Sequence, residues 1–194
     1  MIGVLVSGSG TNLQALIDAG LPIVCVGSNK PGVMGLERAA KAGIETGVFE
    51  LSSYPDRSAR DTALADWLLG KSVEWVVLAG YMHVLTPAFL SRFPRRVINL
   101  HPALLPSFPG AHAIDEALTY GVRWTGVTVH FVDEGVDTGP IILQEPVEVR
   151  NDDSAETLAE RIHAVEHRLL PEAVRLCLDE RVRFGESSRR VMIT

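Results

Sequence analysis

The sequence predicts a Rossmann-like, doubly wound α/β fold, with a mostly parallel sheet folded as a single domain. Three observations carry that prediction. Short β-branched runs alternate with helical patterns from the first residues onward, as βαβ units do. The run Val73 to Ala79 is apolar except for Glu74, which suits a central strand covered on both faces. The chain has 194 residues, 46% of them hydrophobic, which can bury one core and leaves little for a second.

Each element has its own signal. Ile2 to Ser7 reads as a strand and passes through Gly8-Ser9-Gly10 into a helix over Asn12 to Ala19. Ile23 to Gly27 (strand), Leu36 to Ala42 (helix), Gly47 to Leu51 (strand) and Arg57 to Leu69 (helix) continue the alternation. Glu74 to Leu78 and Arg96 to Asn99 are further strands. Pro102, Pro106 and Pro109 deny the next segment regular hydrogen bonding, and a helix over Ala113 to Tyr120 ends at Gly121. Thr125 to Val132 and Pro140 to Gln144 read as late strands joined by the Asp133-to-Gly139 loop. Asp153 as N-cap, with Glu156 three residues on, starts a last helix whose Leu158, Ile162, Val165 and Leu169 share a face. Pro171 is expected to kink it or to begin a second helix through Leu178.

Composition narrows the function. Lys+Arg 18 against Asp+Glu 24 gives a net charge of −6, with no dense basic run, which argues against nucleic acid as a partner. Cys25 and Cys177 are the two cysteines and fit reduced core thiols; nothing has the spacing of a zinc site, so no metal is expected. Met1 leads straight into Ile2-Gly3-Val4-Leu5-Val6, with no basic leader, cleavage site or run of about 20 apolar residues. The expectation is a cytoplasmic protein without a membrane partner.

The chemistry concentrates in Asn99-Leu100-His101-Pro102-Ala103-Leu104-Leu105-Pro106, with Asp137 further on. Asn99 and His101 are two apart at a strand end, so their side chains share a face. An amide can donate to a developing oxyanion, an imidazole can donate or shuttle a proton, and a carboxylate can fix the imidazole tautomer and favour its charged form. Gly8-Ser9-Gly10-Thr11-Asn12 stands at a strand-to-helix turn where backbone N–H groups can hold a phosphate. It is no dinucleotide fingerprint, since Leu13 occupies the place of the third glycine. Taken alone, Glu166 and Arg57 read as surface charges and His130 as structural.

These residues resemble the folate-dependent formyltransferases. The likeness rests on Asn99-x-His101-Pro102-x-Leu104-Leu105-Pro106, Asp137-Thr138-Gly139-Pro140, Ser7 to Ala15, Ser28-Asn29-Lys30, Gly35 to Ala39, Leu78 to Met82, Thr128 to Val132 and Val165-Glu166-His167, in that family's order and nearly end to end. The resemblance implies transfer of the formyl group of 10-formyltetrahydrofolate, as cosubstrate, to the amine of glycinamide ribonucleotide in purine biosynthesis. It implies Asn99, His101 and Asp137 as catalytic residues, Asp137 orienting His101 and raising its pKa. Gly10, Thr11, Asn12 and Glu166 would contact the phosphoribosyl substrate; Arg57, Met82, His83, Val84, Leu85 and Asn99 would contact the folate. It also implies a cis Leu105–Pro106 bond. In this chain His83 replaces the family's usual Arg. Residues 1–180 are read as the catalytic domain and 181–194 as a polar C-terminal tail. Partners are expected to be small molecules, and the chain a monomer or homodimer. The alternatives are a formyltransferase for a sugar nucleotide or another amine, including methionyl-tRNA, a formyltetrahydrofolate hydrolase, or a non-catalytic folate- or nucleotide-binding module on the same fold. Length argues against the tRNA enzyme and the hydrolase.

Overall fold

The computed structural model describes residues 1–185 and 189–194. It shows the expected doubly wound α/β fold, with the strands of the larger sheet ordered β3-β2-β1-β4-β5-β6-β7. Two compact units divide the chain, Met1–Ile98 and Asn99–Thr194.

In the first unit β1 (Ile2–Val6) pairs in parallel with β2 (Ile23–Ser28) and β4 (Trp75–Leu78), and β2 pairs in parallel with β3 (Glu45–Val48). The helices are α1 (Thr11–Asp18), α2 (Met34–Lys41), α3 (Arg57–Gly70) and the short α4 (Pro87–Leu90). Every residue of β1 is buried, as are Leu13 and Leu16 on α1. Each such Leu contributes about 1.5–3 kcal/mol relative to exposure. β3 lies two or three residues earlier than the expected Gly47-to-Leu51 strand. It is the edge strand that opens the order and is largely exposed, so the apolar signal came instead from Phe49, whose ring packs 5.3 Å from that of Trp67. Leu51–Ser53 is a 3-10 turn.

Gly10 fixes the turn from β1 into α1. It caps the helix at φ 69°, and a Cβ there would lie 2.5 Å from the Gly35 Cα. The Gly35 amide donates to the Gly8 carbonyl at 3.0 Å, so the backbones of the loop and α2 touch directly. Gly10→Ala is therefore expected to cost about 1–3 kcal/mol, read as a lower urea midpoint at constant m-value. An unchanged midpoint would show that the turn accepts a side chain.

The second unit contains α5 (Ala113–Tyr120), β6 (Trp124–Phe131), β7 (Ile141–Glu148) and α6 (Ala155–Leu178); β5 (Val97–His101) runs into it. α5 has its expected bounds, closed by Gly121 at φ 80°. β7 pairs antiparallel with β6 and extends through Pro146, which a strand at the end of the order tolerates. α6 begins differently from the expectation. The Ser154 hydroxyl, not Asp153, accepts from the Thr157 amide, and the Thr157 hydroxyl accepts from the Ser154 amide. Asp153 is taken by Arg161 and the Arg150 amide; its bond to the Arg161 guanidinium, above all, holds its carboxyl well below the usual range. α6 passes through the buried Pro171 as one 24-residue helix.

The polar segment after Arg181 contains an antiparallel pair, β8 (Val182–Phe184) and β9 (Val191–Ile193), with the Phe184 ring 4.9 Å from that of Phe131. Cys25 and Cys177 are buried, and burial, aided by Glu45 and opposed by Lys71, pushes the Cys25 thiol up to about 11. Among the described residues no helix is long and apolar enough to cross a membrane.

Candidate active site

β5 ends in Asn99 and His101 on one face, and the Asp133-to-Gly139 loop brings Asp137 to them. Asp133 holds that loop by accepting from the Gly135 amide at 3.1 Å and the Thr138 hydroxyl at 2.5 Å. Gly139 is obligatory there, because a Cβ would lie 1.7 Å from the Phe131 carbonyl oxygen. Asp137 itself has φ 53°. The segment after His101 is pinned by Thr128, whose hydroxyl donates to the Ala103 carbonyl at 2.7 Å and accepts from the Leu105 amide at 3.1 Å. Gln144 donates to the Leu105 carbonyl at 2.9 Å, and the Leu105–Pro106 bond is cis.

Asp137 stands at the centre of the group. His101 Nδ1 lies 3.4 Å from one of its oxygens; the other is 3.4 Å from Asn99 Nδ2 and 3.6 Å from His130 Nε2. The Gly110 amide donates to the carboxylate at 2.8 Å. Burial raises the Asp137 carboxyl, but the His130 and Gly110 hydrogen bonds and the neighbouring imidazoles outweigh it and leave it below its ordinary value. His101 Nε2 donates to the Phe108 carbonyl at 2.7 Å, so both of its ring nitrogens face acceptors and a cationic ring could donate to each.

His130, read from sequence as structural, is part of this cluster. Its Nδ1 donates to the Phe131 carbonyl at 2.9 Å, and its Nε2 lies 3.2 Å from Asn99 Nδ2 and faces Asp137. The period-two placement of Thr128 and His130 on β6 was a signal that could have found it. Nothing in the sequence pointed to the Phe108 carbonyl or the Gly110 amide.

The other expected site residues fall into separate groups. Gly10, Thr11 and Asn12 form the N-terminal turn of α1, where the helix dipole is positive. Glu166 is on α6 and buried rather than solvated. Arg57 opens α3 and donates to the Val84 carbonyl at 2.6 Å, joining it to the Met82-to-Leu85 segment. Within that segment Met82 and Val84 are exposed, His83 is half-buried and Leu85 is buried. No cluster of three or more His, Cys, Asp or Glu suited to a metal ion occurs among the described residues.

An amide and an imidazole at the end of β5, a second imidazole on β6 and a loop carboxylate are the kinds of group that acyl-type transfer uses. Residues 1–174 match the formyl transferase family, and the chain belongs to it. It is 47% identical to glycinamide ribonucleotide transformylase 1 from Symbiobacterium toebii, with a TM-score of 0.96 over 99% of this chain and 92% of that one. It is 46% identical to phosphoribosylglycinamide formyltransferase of Mycobacterium tuberculosis (strain CDC 1551 / Oshkosh) over 176 residues, 88% of this chain and 81% of that protein. It also matches trifunctional purine biosynthetic protein adenosine-3, with 46% identity to the Bos taurus protein and 48% to that of Chironomus tentans. The matches cover 100% and 95% of this chain, which spans only 20% and 14% of those relatives.

Proposed function

We propose that this chain transfers the formyl group of 10-formyltetrahydrofolate to the amine of glycinamide ribonucleotide, a step in purine biosynthesis. The observation that carries the reading is the gathering of Asn99, His101 and His130 around Asp137 in a member of the formyl transferase family. The folate supplies the formyl group, held as an amide of N10. The substrate amine forms a bond to the formyl carbon, the carbon–N10 bond breaks, and the proton lost by the amine ends on N10. Negative charge gathers on the formyl oxygen meanwhile. The Asn99 N–H now spent on a 3.4 Å contact to Asp137, at the outer limit of a hydrogen bond, is a donor such an oxygen would recruit. The His101 Nε2–H, donated to Phe108, is the second. Asp137 holds the charged imidazole in place and His101 carries the proton.

Gly10, Thr11 and Asn12 are proposed to hold the substrate phosphate at the α1 N-terminus. Met82, His83, Val84, Leu85, Arg57 and Asn99 are proposed to receive the folate, largely through backbone groups. Residues 1–180 would form the catalytic domain, 181–194 its tail, and the cytoplasm is the proposed compartment. The reading is tested by formyl transfer to glycinamide ribonucleotide, with amino-sugar nucleotides and methionyl-tRNA as competing acceptors. Preference for either competitor would replace the assignment.

Glu166 is assigned to the substrate amine. Glu166→Gln should raise the KM for glycinamide ribonucleotide about 10-fold or more, since a charge-assisted hydrogen bond contributes about 1.5–3 kcal/mol. The KM for the folate should stay within about twofold. Equal rises in both would make Glu166 a packing residue of α6.

A further inference from the structure

A buried hydrogen-bonded chain runs behind the Met82-to-Thr86 segment. On α3 the fully buried Arg60 donates to Asp61 Oδ1 from Nε at 2.9 Å and from Nη2 at 2.5 Å. Its remaining amino group, Nη1, lies 2.5 Å from His83 Nδ1. On the other side of the imidazole, Nε2 is 3.0 Å from Asn29 Nδ2, and Asn29 Oδ1 accepts from the Ser7 hydroxyl at 2.5 Å. Both ends of the chain return to the segment's backbone: Asp61 Oδ2 accepts from the Thr86 amide at 2.7 Å, and Ser7 Oγ from the Met82 amide at 2.9 Å. The segment is thus clamped at its two ends by a relay whose middle member is its own side chain, His83.

With Arg60 donating to His83, the proton inventory of this relay admits one arrangement. A guanidinium can only donate, so His83 Nδ1 must be bare. A neutral imidazole then carries its hydrogen on Nε2 and requires an acceptor there. The Asn29 amide must therefore be turned over from the orientation just described, presenting Oδ1 to His83 and its NH₂ to Ser7. The opposite amide orientation would ask both ring nitrogens to accept, which neither the neutral nor the charged ring can do; oxygen and nitrogen of an amide are interchangeable by shape.

We propose that neutral His83, as its Nε2–H tautomer, is a positioning residue that holds the Met82-to-Thr86 segment in the shape that receives the folate. The inference rests on the folate reading above. A proton on Nδ1 would face the Arg60 guanidinium and break the relay at its centre. The charges around the ring favour the neutral form: burial first, then Arg60, Arg57 and Lys30, lower the His83 pKa against the opposing pull of Asp61. Arg57, Arg60 and Asp61 come from α3 and Lys30 from the bend after β2, and the Tyr81 ring lies 6.0 Å away. The folded pKa lies below the unfolded value, so this group's contribution to stability is complete above the ordinary histidine value of about 6.5 and is lost as pH falls through the window beneath it.

Two measurements on the full chain test this. Imidazole ¹⁵N–¹H correlation spectra should show His83 as the Nε2–H tautomer at neutral pH, titrating below about 6.5. An Nδ1–H tautomer, or titration at or above that value, overturns the proposal. Tetrahydrofolate binding is then followed by calorimetry from about pH 8 down to about pH 5. Wild-type affinity should fall about tenfold per pH unit once below the His83 midpoint. His83→Leu should bind at least about tenfold more weakly at high pH. His83→Gln offers an oxygen to Arg60 and an N–H to Asn29 but cannot titrate, so it should recover most of that loss and lack the acid decline. An undiminished acid decline in His83→Gln, or wild-type affinity in His83→Leu, refutes the positioning role. Absence of tetrahydrofolate binding at every pH would defeat the folate reading, and with it the consequence for affinity; the spectra would still decide the tautomer.

Discussion

Asp137→Asn is expected to lower kcat by about 10³- to 10⁴-fold, the scale seen when a buried carboxylate beside a catalytic imidazole is replaced by its amide. The amide keeps the shape and can still accept from the Gly110 N–H, but it removes the charge to which both His101 and His130 are turned. Single-turnover rates at saturating concentrations of both substrates measure this directly. A kcat within about tenfold of wild type would leave Asp137 as a loop residue without a catalytic role. The Asp137 carboxyl sits below its ordinary value, so it is fully ionised at neutral pH. Its contribution to stability is present above the unfolded value of about 3.9 and is lost as pH falls through the lower folded value. The titration of Asp137 itself therefore adds no pH dependence to the wild-type rate from about pH 5 upward, and any acid limb there belongs to another group.

Asn99→Ala should lower kcat by about 10²- to 10³-fold, the usual cost of deleting one oxyanion donor. The KM values should change little, because the amide's task lies in the charge that develops during transfer. The same truncation also removes the donor facing His130 Nε2 at 3.2 Å, so Asn99→Asp is the informative companion. It keeps the size but sets a second carboxylate beside Asp137, and should be at least as inactive. Near wild-type turnover in Asn99→Ala would remove Asn99 from the chemistry.

Much of this architecture was legible because local and global signals agreed. β1 is a continuous apolar run before a glycine turn, and α5 is an apolar-periodic stretch closed by a glycine in the left-handed region. Asn99 and His101 could be placed on one face from strand periodicity alone. What escaped was set by the partners each residue finds across the chain. β3 lacks a buried face, so its sequence does not announce a strand. Asp153 has the chemistry of a cap, yet Arg161 and the Arg150 amide claim its carboxylate. Arg60 and Asp61 look like an ordinary charged turn of α3, but both are fully buried, and the reason lies 23 residues away in His83. His130 sits between Val129 and Phe131, all buried, so burial gave no contrast from which to single it out.

The placement of Asn99 and His101 on one short strand ties turnover to molecular fidelity. Side chains on a strand alternate faces, so a slip of β5 by one residue would carry both groups out of the site together and bring Ile98 and Leu100 in. A misregistered molecule would thus be wholly silent rather than sluggish. In a refolded preparation, lost specific activity would count defective molecules instead of measuring a uniform slowing, and titration of intact sites would tell the two apart.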